Sequence, residues 1–431
     1  MTTTQKKDPL LTPLVRWFLF AMILANIAAA MYPMLLPIYL TELGASIQQV
    51  GLVFTATSLV SLLLQIFGGW VSDSIGRLKS IAIGSIGGVI GFLAVALAPS
   101  WQWMLVAMAI AMFPGALVGP SFGAFIAENS AEENRGRVYG IVGTIYQITG
   151  VLGPAAGGLL MGKFGFQPMM FAVVGLYGTA AVLRIWMATT MKEAANEHRS
   201  NDLSMSSFKA SIGKMWALIV GGGVLTWILI TDGVRDIAFR LSGELQPLYL
   251  EQIGNLTVEQ IGLLGSIFAI ATMLTPMISG RLVDKTEERV PIVIGFLFVF
   301  GAFFIFLNTL TFLGFAAAWV TFGLGVGMLN PAYQSLISKV VPQNMLGVFQ
   351  GVFYSSIGLV SLPAPYIGAY LWDTFTPKLP FQITAAVAVI SIIPIWIKFK
   401  IPKKTEGESK TTPAQPETLD SSLTLETESG D

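Results

Sequence analysis

Five charged side chains fall within residues 231 to 250, TDGVRDIAFRLSGELQPLYL, a stretch set in otherwise uncharged hydrophobic sequence. Asp232, Asp236, Arg240 and Glu244 recur every fourth residue, which on an α-helix stacks them one turn apart on a slowly drifting face. Arg235 follows Asp232 by three and lies on a neighbouring face. An unpaired charge at a bilayer centre costs about 2.5 to 3.5 kcal/mol, so Asp236, Arg240 and Glu244 left alone would cost roughly 8 to 10 kcal/mol. They cannot face lipid. Arg240 can reach Asp236 on one side and Glu244 on the other, while Asp232 can reach Arg235 or the turn of Asp236. Three acids against two bases leave one negative charge over. Desolvation holds a proton on such an acid and a neighbouring Arg removes it, the balance that proton coupling requires. The plainer reading is an ion-pair ladder steadying a long helix, but intramembrane ionisable residues more often line a substrate or ion path.

Composition sets the elements that hold this stripe. The chain has 431 residues, is 54% hydrophobic and 12% charged, and its mean hydropathy is +0.69. No ordinary soluble domain of this length has that balance, so the chain is a membrane protein. Its 45 Gly and 28 Phe suit helices packed on helices in lipid, where Gly lets backbones approach. Cysteine is absent, which excludes disulfides and thiolate metal sites.

About 20 apolar residues span a bilayer as a helix, and that criterion predicts twelve spans, near 16–40, 47–70, 78–98, 101–126, 137–160, 167–190, 216–248, 257–281, 290–309, 311–337, 346–371 and 380–398. The first runs on through Pro33 and Pro37 without a small-residue cleavage site, so it is not a removable signal. Twenty Lys and Arg precede span 1, follow the even-numbered spans or follow span 12, whereas the opposite loops hold only Lys163 and Lys378. By the positive-inside rule both termini are cytoplasmic. Arg184, inside span 6 near its basic end, is expected to snorkel to the interface.

The two halves repeat. LLPIYLTELG at 35–44 matches LQPLYLEQIG at 245–254 with an offset of 210, and the offset then becomes 211 and holds: Gly51 with Gly262, Gly69 with Gly280, Asp73 with Asp284, Pro120 with Pro331, Gly140 with Gly351, Pro154 with Pro365 and Gly157 with Gly368. The expected architecture is an all-α membrane protein of two six-helix bundles, 14–190 and 216–402, joined by a cytoplasmic linker at 191–215. A pseudo-twofold axis along the membrane normal then leaves a central cavity between them. Residues 1–13 and the polar tail 403–431 are expected to be disordered; His198, the single histidine, lies in the linker.

Between spans 2 and 3 stands GWVSDSIGRLK, with Gly69, Asp73, Gly76, Arg77 and Lys79 in the pattern G-x3-D-x2-G-R-x-K. It resembles the cytoplasmic loop signature of the major facilitator superfamily, and twelve spans in two repeats extend that resemblance over nearly the whole chain. The resemblance implies that Asp73 caps the start of span 11 near Gly347 to Gln350, where a helix dipole favours an anion, and that Arg77 pairs with Glu128 at the end of span 4, closing the cytoplasmic side. The second copy, GRLVDKTEER, keeps Gly280 and Asp284 and adds Arg289, but has Glu287 and Glu288 where the first has Gly76 and Arg77; it reads as a weakened latch. In span 5, Gly153, Pro154, Gly157 and Gly158 resemble the glycine and proline signature of drug:proton antiporters in this superfamily. Gly150, Gly153 and Gly157 make a flat face for a partner helix, and Pro154 permits a bend. Span 4 lacks the Arg that such exporters carry, Ala111 standing near its place, so the span 7 stripe is the candidate relay.

Neutral groups that could line the cavity beside the stripe are Asn26, matched by offset to Asp236, with Gln65, Tyr146, Gln147, Asn330, Tyr333, Gln334 and Tyr354. There is no G-x4-G-K-[ST] loop, which argues against an ATP-driven pump. The resulting expectation is a secondary transporter, not an enzyme, that acts as a monomer in the cytoplasmic membrane by alternating access, exporting a small organic compound in exchange for protons. It needs no cofactor, metal or nucleic acid. The competing readings are uptake of a solute whose carboxylate or phosphate Arg240 would bind, and a sensor or scaffold that kept the fold without transport.

Overall fold

The computed structural model describes residues 11–130, 132–190, 223–341 and 346–400, apart from the side chains of 66–74, 132, 284 and 346–348. Among these residues every long element is a helix. The first half comprises α1 (Pro13–Met31), α2 (Leu36–Glu42), α3 (Ile47–Ile75), α4 (Arg77–Leu97), α5 (Trp101–Ala111), α6 (Phe113–Glu128), α7 (Arg135–Phe164) and α8 (Phe166–Thr190). The second comprises α9 (Val224–Gly243), α10 (Gln246–Gln252), α11 (Val258–Leu274), α12 (Pro276–Lys285), α13 (Arg289–Leu307), α14 (Phe312–Val340), α15 (Leu346–Val360), α16 (Ala364–Thr374) and α17 (Leu379–Lys398). The expectations for the termini, the linker and His198 lie outside the described residues.

Ten described stretches are long and apolar enough to cross a membrane. The other two expected crossings are α7, whose many glycines dilute its apolar side chains, and α9, which carries the charged stripe. Both pack among the other helices of their halves. Proline accounts for where crossings break: Pro37, Pro114, Pro247, Pro276 and Pro365 each occupy the first or second position of a new helix segment, where a missing N–H costs nothing.

The repeat reappears in hydrogen bonds. Ser46 caps α3 in a reciprocal box with Gln49, and Thr257 caps α11 in the same box with Gln260; the two boxes are related by the offset that joins Gly51 to Gly262. The structure also locates the inserted residue. Ala45 N–H donates to the Leu40 carbonyl, and Leu256 N–H to the Leu250 carbonyl, so the extra residue lies between 250 and 256. The left-handed position before the closing bond is Gly44 at φ 84° in the first half and Asn255 at φ 52° in the second, Asn being a side chain that tolerates that region. The conformational counterpart of Gly44 is therefore Asn255, not the Gly254 that sequence alignment pairs with it.

Each half has an aromatic core. Phe18 packs on Phe122 and Phe125 in the first, and Tyr249 on Phe306, Trp372 and Phe381 in the second. Trp103, Leu313 and Ile390 stand exposed on the outside, as a lipid-facing surface requires. The halves meet where α3 lies on α16, α7 on α11 and α2 on α10. Small residues decide how close they come. A Cβ on Gly51 would stand 2.7 Å from the Pro365 carbonyl oxygen, and one on Gly262 would stand 2.5 Å from that of Pro154. These copy-related contacts lie toward the face opposite the basic loops. Toward the basic loops, Gly119, Gly123, Gly136, Gly140, Gly280 and Gly351 have no neighbour within 4 Å of an added Cβ.

Candidate functional site

A cavity of about 560 Å³ lies between the halves. Its first-half wall comes from Tyr32, Pro33 and Leu36, from the α3 residues Phe54, Thr57, Ser58, Ser61, Leu62 and Gln65, and from Met108 and Met112. Its second-half wall is Asp236, Arg240 and Glu244 with Tyr354, Ile357, Gly358 and Leu362. One wall is thus apolar, aromatic and hydroxyl-bearing, and the other carries all the charge.

The stripe divides. Asp236 Oδ2 accepts from Arg240 Nε at 2.8 Å and from Ser361 Oγ at 2.6 Å, so helix α9 is tied through its acid to the break between α15 and α16. Glu244, the C-cap of α9, lines the cavity, and its carboxylate makes no ion pair or hydrogen bond among the described residues. Arg240 therefore serves Asp236 alone within ion-pair distance, and does not bridge both acids. Asp232 and Arg235 are not in the cavity wall. They pair with each other, and the guanidinium lies 5.0 Å over the Tyr333 ring and 5.9 Å over that of Phe239. The reason is geometric: each step of four residues overshoots a turn by about 40°, so from Asp232 to Glu244 the face rotates by about 120°. The stripe also ends at a helix break, which follows at Leu245 before Pro247.

Of the neutral candidates, Gln65 and Tyr354 line the cavity. Gln65 Nε2 donates to Ser61 Oγ at 3.2 Å, and Gln334 Nε2 to the Tyr354 hydroxyl at 3.0 Å, so Gln334 holds a wall residue in place. Tyr333 is buried behind the wall against Arg235, its hydroxyl 3.5 Å from Thr231 Oγ1. Asn26 has its side chain beside the Tyr146 hydroxyl, Tyr146 packs edge-on to Phe122, and neither they nor Gln147 and Asn330 are among the lining residues. Sequence reasoning missed Ser361, Met108 and Met112. A hydroxyl beside the LPAP break was a visible signal for Ser361; a methionine in an apolar span carries none.

Arg184 does not snorkel. It is 3% exposed, donates to Ser85 Oγ at 2.9 Å and lies 5.9 Å over the Tyr177 ring. Ser85, on α4, is a polar partner inside the bundle that the span 6 sequence alone does not reveal, and Tyr177, two turns before Arg184 on the same helix, completes the site.

At the basic face Arg77 Nε stands 3.3 Å from Glu128 Oε1, and Gly76, at φ 90° between α3 and α4, sets the turn that brings them together. Lys79 is exposed. The side chains of Asp73 and Asp284, and the surroundings of Gly69, lie outside the described residues. Arg289 does not bridge to the first half: it donates to the Trp396 carbonyl at 2.9 Å, stacks 4.5 Å over that ring and pairs with Glu287 at 2.6 Å, tying α13 to α17. The second loop is not a depleted copy of the first either, because Glu288 pairs with Lys339 and takes a further bond from Ser335 Oγ at 3.4 Å.

In α7, Gly153 and Gly157 receive Ala30 and Met31 of α1, while Gly158 and Pro154 receive Gly262 of α11. Gly150 has only Ala269 at 3.9 Å and is not part of a tight face.

The model of the Major Facilitator Superfamily matches residues 18–239 and 233–426. The multi-drug resistance efflux pump PmrA homolog of Lactococcus lactis subsp. lactis (strain IL1403) is 26% identical over 377 residues, covering 85% of this chain and 89% of that protein. Multidrug resistance protein MdtG of Salmonella paratyphi C (strain RKS4594) is 25% identical over 376 residues, covering 84% and 89%. Among solved structures, the peptide transporter POT in complex with sulfate superposes with a TM-score of 0.67 at 14% identity, covering 89% of this chain and 93% of that one. The nucleoside transporter NupG superposes with a TM-score of 0.67 at 16% identity, covering 89% and 100%. With the repeat, the loop motif and the paired bundles, these likenesses establish that this membrane protein belongs to the Major Facilitator Superfamily.

Proposed function

We propose that the chain exports small organic compounds across the inner membrane of a bacterium in exchange for protons, by alternating access of its two bundles, with both termini in the cytoplasm. The observation that carries this reading is the cavity wall: Glu244 faces the space between the halves without a partner, while the neighbouring acid is held by Arg240 and Ser361. A lone carboxylate there can hold a proton in one state and release it in the other. The opposite wall of Tyr32, Phe54, Met108 and Met112 suits apolar guests of varied shape, since Met adapts to many surfaces. The names of the relatives, a multi-drug efflux pump and a multidrug resistance protein, support export over uptake. The twenty basic residues that the order of spans assigns to one side support placing that side in the cytoplasm; on that reading the halves, which touch at the other side, are in an inward-facing form.

Everted membrane vesicles carrying an acid-inside gradient provide the test. Addition of a transported compound from a panel of dye and antibiotic probes should dissipate the gradient and load the vesicle lumen. Accumulation driven by the gradient in right-side-out vesicles, with none in everted ones, would contradict export.

A further inference from the structure

One hydroxyl from each half enters the helix backbone of the other. Ser266 of α11, 4% exposed, accepts the Ala155 N–H of α7 at 3.1 Å and donates to the Val151 carbonyl at 2.5 Å. One side chain therefore bridges the amide and carbonyl of a single turn of a helix in the partner half, just beyond Pro154. Thr55 of α3 accepts the Tyr366 N–H of α16 at 3.2 Å. Tyr366 is the third residue of its helix, after Ala364 and Pro365, so its amide has no intrahelical acceptor and Thr55 caps it from across the interface. The repeat offset carries Thr55 onto Ser266 and Ala155 onto Tyr366: the two bonds are copies of each other. Each lies one helical turn beyond the glycine, Gly51 or Gly262, that brings the halves together.

We propose that Ser266 and Thr55 are positioning residues of the transport cycle, pins that hold the halves together at the face opposite the basic loops. The physical ground is the cost of an unpaired backbone group away from water. While the halves touch, Ala155 N–H, Val151 C=O and Tyr366 N–H have partners supplied from the other half. When the halves separate there, the hydroxyls fall back on carbonyls of their own helices; Ala155 N–H and Val151 C=O, one turn apart, can pair with each other, whereas Tyr366 N–H, at the start of its helix, is left to water. The two pins therefore favour the closed form of this face, and removing them shifts the population toward its opening. Gly51 and Gly262 permit the approach, whereas Thr55 and Ser266 reward it.

The inference rests on the alternating-access reading above, and its test needs neither a substrate nor a proton gradient. The chain has no cysteine, so Ser58→Cys in the cavity wall supplies the single thiol. Its labelling by a membrane-impermeant maleimide is followed in right-side-out and in everted vesicles. In that background Ser266→Ala, which removes both of its hydrogen bonds across the interface, should raise the rate from the face opposite the basic loops by about twofold to tenfold. Thr55→Val, which keeps the shape and removes the hydroxyl, should raise it by about twofold to fivefold, since the Tyr366 N–H loses its acceptor. Thr55→Ser should label like the parent. Should Ser266→Ala not reach the membrane, the Thr55→Val and Thr55→Ser pair decides alone. Unchanged labelling in folded hydroxyl-less variants, or equal labelling of Thr55→Val and Thr55→Ser, would overturn the pins. Altered labelling in these variants, with a parent chain that keeps Ser58 and moves no compound, would instead leave the pins standing and count against the export reading.

Discussion

Glu288 and Lys339 form the same interhelical ion pair in the second half that Arg77 and Glu128 form in the first, with the charges exchanged. The repeat offset carries Arg77 onto Glu288, at the start of α13, and Glu128 onto Lys339, at the end of α14. The Glu288 side chain is 5% exposed against 37% for Glu128, while Lys339 is 54% exposed against 25% for Arg77, so the second pair buries its acid and the first its base. Breaking a buried pair leaves an uncompensated charge, whereas an exposed pair contributes little.

Exchange of partners tests the relationship. Lys339→Glu, which sets two acids together, should lower stability by about 1 to 2 kcal/mol, less than a fully buried pair because Lys339 is half exposed. Restoring the order with Glu288→Lys and Lys339→Glu together should recover most of it. Glu128→Gln should cost under about 1 kcal/mol. Thermal melting of the purified variants in detergent checks all three, and a double variant no better than Lys339→Glu would show that the pair is incidental.

Substitutions to Ala at two glycines of the interface region should part widely. A Cβ on Gly262 meets the Pro154 carbonyl and the Gly158 backbone, while one on Gly150 meets only Ala269 at 3.9 Å. Overpacking of this kind costs about 1 to 3 kcal/mol. Gly262→Ala should therefore disable transport or open the face where α7 and α11 meet, and Gly150→Ala should behave as the parent in the same vesicle assay. Equal effects would mean that the helices relax around either methyl.

The pH response of that face follows from Glu42 and Glu251, at the ends of α2 and α10, which lie against each other. Partial burial raises both carboxyls above the usual value of 4.5, and for Glu251 the charge of Glu42 raises it further. A raised carboxyl binds its proton more tightly in this closed form than when solvated, so ionisation works against closure: the penalty is absent below 4.5, sets in as pH rises through the raised values and is complete above them. Glu42→Gln should remove the share that belongs to Glu42 and the part of Glu251's that its charge causes, leaving Glu251's own burial. Labelling of the Ser58→Cys thiol from this face should rise with pH in the parent and respond less in the Gln variant; an identical pH response would contradict the coupling.

Legibility in the sequence followed the range of the physics involved. Span length, basic loops and the constant repeat offset are local or periodic quantities, and they sufficed for the two-bundle fold and for placing Asp236, Arg240 and Glu244 on a cavity. What a side chain meets on another helix is not periodic. Arg184 looked interfacial because its partner Ser85 stands on α4, and only the packing of α4 on α8 brings that hydroxyl beside the guanidinium and the Tyr177 ring. Asp232 looked like a wall residue because the drift of the stripe was followed along the helix without the neighbouring Tyr333. The exchanged pair was legible in principle, since applying the offset to Arg77 and Glu128 gives Glu288 and Lys339. Judging the second loop by its own motif residues hid it.

Glu244 carries the central claim, and gradient-driven transport by its amide is the most direct test. The account predicts that Glu244→Gln inserts, folds and still binds or equilibrates a transported probe, but no longer concentrates it when a pH gradient is imposed on everted vesicles. Asp236→Asn, whose partners are Arg240 and Ser361, should retain gradient-driven transport at a reduced rate. The measurement is initial efflux-direction flux with and without the gradient, in both variants and the parent. Loss of the gradient response in Glu244→Gln with its retention in Asp236→Asn is the expected result; a Glu244→Gln protein that remains fully gradient-driven would contradict the account.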